Sequence, residues 1–201
     1  MARRSDHSRD EIKEMALAAA ATIVEQEGSK KLTARNVATA IGYTVGTLYL
    51  VFKNLDDMVL HLNAHTLDDL HDWLQERRDT GAAPQQQLQA LAEAYIDYAV
   101  SHTARWNLLF ESVAGVDSEL PDWYLQRLGK VFGLIEAALA PLVDHQGQEA
   151  IVQAARVLWA SVHGICTLKI RHRLDLAGGQ STGEMAAMLI NNFLAGFTAS
   201  K

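Results

Sequence analysis

The chain has 201 residues, is 49% hydrophobic and carries a formal net charge of −6, which supports a sizeable core and excludes a disordered chain. Its three prolines, Pro84, Pro121 and Pro141, fall between apolar-periodic stretches, and runs of β-branched residues are scarce. An interior proline costs a helix about 3 kcal/mol, so this spacing favours long helices and an all-α class.

The single cysteine, Cys166, excludes an intramolecular disulfide and suits a reducing, cytoplasmic compartment. Acidic residues Asp10, Glu11 and Glu14 precede the short apolar run Met15–Val24, which argues against a secretory leader. No stretch is expected to reach the roughly 18 apolar residues of a membrane span. The charge is unevenly spread. Residues 1–53 hold eight basic and six acidic side chains (+2), whereas the remainder holds ten and eighteen (−8). A mildly basic head on an acidic body can orient a molecule on a polyanion.

In chain order, Ser8 and Glu11 have capping-box spacing at the head of a first helix. Its apolar face is Ile12, Met15, Ala16, Ala19 and Ile23, and Gly28 is its stop. Two short helices follow, near Thr33–Ala40 and Thr44–Val51. Asn54 then caps a fourth helix running to about Arg78, with Asp56 and Asp57 in its positive first turn. Gly81–Pro84 reads as a linker. Further helices are predicted near 85–102, 104–115, 121–140, 147–172 and 182–198, about nine in total, with a flexible Gly178–Ser181 connection before the last.

Residues 34–53 carry the chemistry. Two helices crossing steeply need a small residue at the crossing and a residue tolerant of positive φ in the turn, with apolar anchors onto a third helix. Ala38, Gly42 and Leu48 meet these needs in order, with Val37, Ile41 and Val51 facing inward. Thr33 and Thr44 stand as N-caps, leaving backbone N–H groups at both helix starts suited to phosphate. The spacing predicts a helix-turn-helix in domain 1–53, with residues 54–201 forming a separate helical domain.

On the text Leu32–Ala38, Ile41–Tyr49 and Phe52–Asn54, the chain resembles the TetR family of bacterial regulators. The resemblance covers roughly residues 9–60. It implies a sequence-specific DNA-binding transcriptional regulator, usually a repressor, acting on double-stranded DNA without enzymatic activity. Two departures stand out. Val51 replaces a frequent histidine, and Leu55 replaces the lysine that commonly follows Asn54, which implies fewer backbone contacts.

The recognition helix opens at Thr44, so Val45, Gly46 and Thr47 form the turn expected to enter the major groove. With no Arg or Gln there, such a set reads thymine methyls and shape rather than guanine. Tyr49 either stacks on the first helix or reaches a phosphate. Lys53 is a phosphate contact, and Thr33 and Arg35 hold the other backbone edge unless Arg35 enters the groove. Arg3 and Arg4 form an arm toward the minor groove or phosphates.

In the body, Trp159–Gly164 resembles the Trp-x-x-x-His-Gly signature of the WHG subgroup of this family, and Tyr98–Phe110 resembles that subgroup's fifth and sixth helices. The subgroup implies a sensing pocket, with Tyr95, Tyr98, His102, Trp106, Phe110, Trp123, Trp159 and His163 on the helices expected to wall it as ligand-binding candidates. His163 is either such a contact or a core histidine. The broad apolar faces of the last two helices predict a homodimer through a four-helix interface. A two-fold dimer places two recognition helices on a palindromic operator with half-sites about 34–36 Å apart.

Catalytic, metal and cofactor sites are not expected. His61 and His65 have the i, i+4 spacing of zinc helices, but Leu62 stands where a metalloprotease needs glutamate. No Glu-x-x-His pair, phosphate loop or nucleophile elbow occurs.

Overall fold

The computed structural model describes residues 7–111, 120–142, 147–174, 176, 178 and 181–199, and every regular element among them is helical. The α-helices are α1 (Arg9–Glu27), α2 (Ala34–Ala40), α3 (Val45–Leu48), α4 (Leu55–Glu76), α5 (Pro84–Ser101), α6 (Thr103–Glu111), α7 (Asp122–Leu139), α8 (Gly147–Ile170) and α9 (Thr182–Ala199). Short 3-10 turns cover Ser29–Lys31 and Ala140–Leu142. The candidate arm residues Arg3 and Arg4, and part of the Gly178–Ser181 connection, lie outside the described residues.

By packing, the described residues within 1–66 and 104–124 form one unit, and those within 67–103 and 125–201 a second. Helix α4 contributes residues to both.

The first unit is built around α1. Ser8 accepts from the Glu11 backbone N–H (3.2 Å) while Glu11 accepts from that of Ser8 (2.6 Å), completing the capping box. These bonds from Ser8 hold the Glu11 carboxyl below its ordinary range. Ala16, Leu17, Ala20, Ile23 and Val24 are buried against Val37 and Ala38 of α2, Leu48 of α3 and Phe52 beyond it. Met58, Val59 and Leu62 of α4 and Leu108 of α6 complete the cluster. Asn63, also buried, offers its amide N–H to the Leu108 carbonyl at 3.5 Å in the last turn of α6, where helix carbonyls lack intrahelical partners.

In the second unit α5, α8 and α9 pack on one another. The Nε2 groups of Gln85 and Gln89 donate to Asn191 Oδ1 at 2.8 and 2.9 Å, clasping α5 to α9. Trp73 Nε1 donates to the Ala94 carbonyl (3.0 Å), tying the end of α4 to α5. The segment read as a linker is pinned. Buried Gln87 donates to the Ala82 carbonyl (2.8 Å) and accepts from Arg78 Nε (3.2 Å), and Pro84 sits in the first turn of α5, where its missing N–H costs nothing.

One expectation needs correcting. Helix α8 is long and apolar enough to cross a membrane by length and composition, with mean hydropathy 1.3 over its best window. Its alanine, valine and isoleucine content, interrupted by few charges, carries it over that threshold. Its inner face, Ile151, Ala154, Ala155, Leu158, Val162 and Cys166, is buried within the chain.

The tightest backbone constraint lies between α2 and α3. Gly42 sits at φ +73°, its N–H donating to the Thr39 carbonyl (3.1 Å), and the Tyr43 N–H reaches back to that of Ala38 (2.9 Å). This is a Schellman motif, which needs a left-handed residue. An added Cβ on Gly42 would meet nothing within 4 Å, so its requirement is purely conformational. Gly42→Ala should therefore destabilise the chain by about 1–2 kcal/mol, read as a lower denaturation midpoint with an unchanged m-value.

Candidate functional site

Thr33 and Thr44 act as the N-caps the sequence predicts. Thr33 Oγ1 accepts from the Asn36 N–H (3.1 Å) and Thr44 Oγ1 from that of Thr47 (3.3 Å). Asn36 also donates to the Lys31 carbonyl (2.8 Å), closing the turn before α2. The Thr47 hydroxyl lies 3.0 Å from that of Thr44. Part of the polar capacity expected to face a base is thus shared with the cap, leaving the Thr47 methyl as its distinctive group.

The regular part of α3 is only Val45–Leu48, shorter than the Thr44–Val51 predicted. Beyond it the chain tightens, with the Leu50 N–H donating to Thr47 and that of Val51 to Leu48, at 3.2 and 3.0 Å. Leu48 and Phe52, one turn apart, are both buried and anchor the segment from below. Gly46 and Tyr49 are exposed on the other side, as is Leu50 at 63% of its surface. Tyr49, at 48% exposure, is not a core residue.

Behind Lys53 the backbone is held firmly. Its N–H donates to Asp57 Oδ2 (2.9 Å), and the Asp57 N–H donates to Asn54 Oδ1 (2.8 Å). Asp57 stands 3.9 Å from His61, whose ring stacks on Trp123 (centroids 4.6 Å apart, 6° between planes) and whose Nε2 lies 3.2 Å from Lys13 Nζ. Val51 and Leu55, the two departures from the family text, both pack against the core. These positions serve packing here.

Thr33, Arg35, Thr44 and Lys53 are exposed, and Val45 and Thr47 half-buried. Three further exposed residues of this segment were not singled out as contacts by the sequence: Lys30 and Lys31, in the turn before α2, and Leu50. The excess of basic residues in the head signalled the lysines. Leu50 had no signal, because helical periodicity fails where α3 tightens.

The second unit contains a cavity of about 40 Å³. Leu74 of α4, Leu91 and Tyr95 of α5, Val131 and Ile135 of α7, Leu158 and Trp159 of α8 and Ile190 of α9 contribute to its wall. Trp159 Nε1 donates to the Tyr95 hydroxyl (2.9 Å), which lies 3.0 Å from His163 Nδ1. The His163 ring also stacks on Trp159, with centroids 5.3 Å apart. Burial pushes the Tyr95 phenol up and the His163 imidazole down. Both shifts favour neutral rings.

Of the predicted pocket residues, the structure places Tyr95 and Trp159 in this wall, with His163 bonded behind them. Tyr98 is buried and stacked on His102, 4.4 Å between centroids. Trp106, Phe110 and Trp123 belong to the first unit, where Trp106 packs on Phe110 and Trp123 on His61.

Comparison with known proteins matches residues 16–62 to the family described as bacterial regulatory proteins, tetR family, and residues 88–193 to the tetracyclin repressor-like C-terminal domain. The second match alone spans more than half of the chain. The chain belongs to the TetR family. It is a DNA-binding transcriptional regulator.

Among similar proteins is an uncharacterized HTH-type transcriptional regulator of Mycobacterium tuberculosis, 27% identical over 175 residues, covering 87% of this chain and 76% of that one. The HTH-type transcriptional repressor KstR2 of Mycolicibacterium smegmatis is 31% identical over 119 residues, covering 57% of this chain and 54% of its own. A Rhodococcus protein of unknown function shares the fold with TM-score 0.73 at 20% identity, covering 96% of this chain and 98% of that one. BioQ, solved with its double-stranded DNA operator, shares it with TM-score 0.65 at 22% identity over 93% and 98%.

Two residues of this TetR-family chain separate fold from function. At Gly46 an added Cβ would meet only Thr44 Oγ1, at an ordinary 3.6 Å. Gly46→Ala should raise stability by about 0.5–1 kcal/mol while weakening DNA binding, measured by thermal melting and fluorescence anisotropy on one preparation. Equal loss of both would show that Gly46 is needed by the fold itself. His163 has a folded pKa below its unfolded value near 6.5, so the unfolded chain binds more protons in the window between them. That contribution to stability is intact above the unfolded pKa and is lost as pH falls from it toward the folded value. The melting temperature should therefore drop less between pH 7.5 and 5.5 in His163→Gln than in the native chain.

Proposed function

We propose that this regulator is a homodimeric, cytoplasmic repressor that grips a palindromic operator and is released by a small-molecule effector. The observation that carries it is the exposure of Lys30, Lys31, Arg35, Gly46, Tyr49 and Lys53 around two threonine caps and a left-handed turn. Exposed cations before and after the short recognition helix in the chain suit two phosphate backbones with a groove between them. DNA reading is assigned to residues 1–53, including the Arg3–Arg4 arm, and sensing and dimerisation to 54–201. The chain acts by binding and not by catalysis.

The dimer is supported by two stripes. On α8, Val157, Ala160, Gly164 and Leu168 are exposed at four- and three-residue intervals, and on α9 so are Met188, Asn192, Ala195 and Ala199. Apolar and small residues continuing outside the internal contact suit close packing of four helices about a two-fold axis. The relatives add that KstR2 is named a repressor and that BioQ was solved on its operator. For release, effector binding shifts α4, whose residues enter both units, and changes the spacing of the recognition helices.

The test is selection of random duplexes by the purified protein at low salt, followed by anisotropy on the selected site. A palindrome with half-sites about 34–36 Å apart is expected. Tyr49→Phe and Lys53→Ala should weaken binding to all sequences alike, and Lys53→Ala should reduce the salt slope by about 1. Thr47→Ala should instead erase about 1–3 kcal/mol of preference at one or two base pairs. Failure to prefer any duplex over random competitor overturns the reading.

A further inference from the structure

The cavity of the second unit specifies its occupant more closely than the effector reading does. Its wall holds aliphatic side chains, one alanine and two aromatic rings, with no charged residue. The polar atoms of those rings are engaged. The Tyr95 hydroxyl lies between Trp159 Nε1 and His163 Nδ1, and this cluster ties α5 to α8. Arg156, one turn before Trp159, lies flat on the Phe132 ring (3.6 Å) with its Nη1 2.9 Å from Glu136 Oε1, so its charge is already answered. A carboxylate or ammonium entering the cavity would lose its hydration and find no counter-charge in the wall. A hydrocarbon group would lose nothing and shed its own apolar surface.

Size adds a second constraint. About 40 Å³ is well below the roughly 150 Å³ cavity that accepts benzene. A ring or branched chain can therefore be held wholly inside only if leucine, isoleucine and valine side chains from five helices part. Occupation thus selects an expanded form of the unit, as a ligand that shifts a conformational equilibrium has to do.

Resting on the effector reading above, we infer that this cavity takes the hydrocarbon part of an uncharged small molecule, admitted by parting of its aliphatic walls, and rejects charged ligands. Toluene, benzoate and benzylammonium are probes of similar size that differ in charge. With the full-length protein at pH 7.5, the melting temperature should rise with toluene concentration. The apparent Kd for toluene should be at least about tenfold lower than for either ion. Ala92→Val, which places two methyl groups on the cavity wall, should weaken toluene binding by about tenfold or more. The comparison of the three probes on the native chain needs no variant, so the inference stays testable even if Ala92→Val folds poorly. Benzoate or benzylammonium matching toluene overturns it, as does a folded Ala92→Val that binds toluene like the native chain. Because these probes are scored by melting and not by DNA release, their failure overturns the ligand class alone. The effector reading then answers to the operator assay.

Discussion

The backbone reversal at Gly42 is the constraint from which the helix-turn-helix follows. A single residue at φ +73° lets the Tyr43 N–H close a six-residue loop onto Ala38. Helix α3 then starts anew after α2 while Leu48 and Phe52 remain in one core with Val37 and Ala38. The four-residue α3 could not persist alone, since helix nucleation is unfavourable and so short a segment makes few bonds. It survives on one cap, two buried anchors and the brace of Asp57 on the Lys53 backbone. The exposed edge is consequently small and rigid, and Gly46 sits in it with no internal packing duty.

The second unit solves a different problem. Tyr95, Trp159 and His163 bring three polar atoms to the edge of an apolar space. A hydroxyl buried without partners would cost about 1–3 kcal/mol, and mutual bonding removes that cost while locking α5 to α8. What remains inside is nearly pure hydrocarbon around a small void. Such a site recognises by shape and by refusing charge. It discriminates poorly between similar apolar groups, because one methylene is worth only about 1–3 kcal/mol.

The helix-turn-helix was legible because each of its needs falls on a residue type with few substitutes. A left-handed turn asks for glycine, a close crossing for alanine, and a helix start for threonine. Capping also placed the beginning of α1, and the prolines marked breaks between later helices. Leu50 was not legible, because its exposure depends on a switch to i→i−3 bonding after Leu48. The aromatic residues of the body were harder to place for a related reason. Tyr98, Trp106, Phe110 and Trp123 lie on amphipathic helices at core-like spacing, and spacing alone does not say which of two cores they serve. The described residues within 104–124 pack with the N-terminal unit, which assigns Trp106, Phe110 and Trp123 to it.

By itself, the sequence determined what depends on local chemistry: the all-helical class, the caps, the turn glycine and therefore the family. Those properties arise from residues within a few positions of each other, where backbone sterics leave few alternatives. Only the tertiary structure decided which distant helices enclose the cavity and which of α8's faces remains outward. It also decided that Val51 and Leu55 serve the core instead of a phosphate. These depend on burial, which is set by how all the helices share apolar surface together and cannot be assigned one helix at a time.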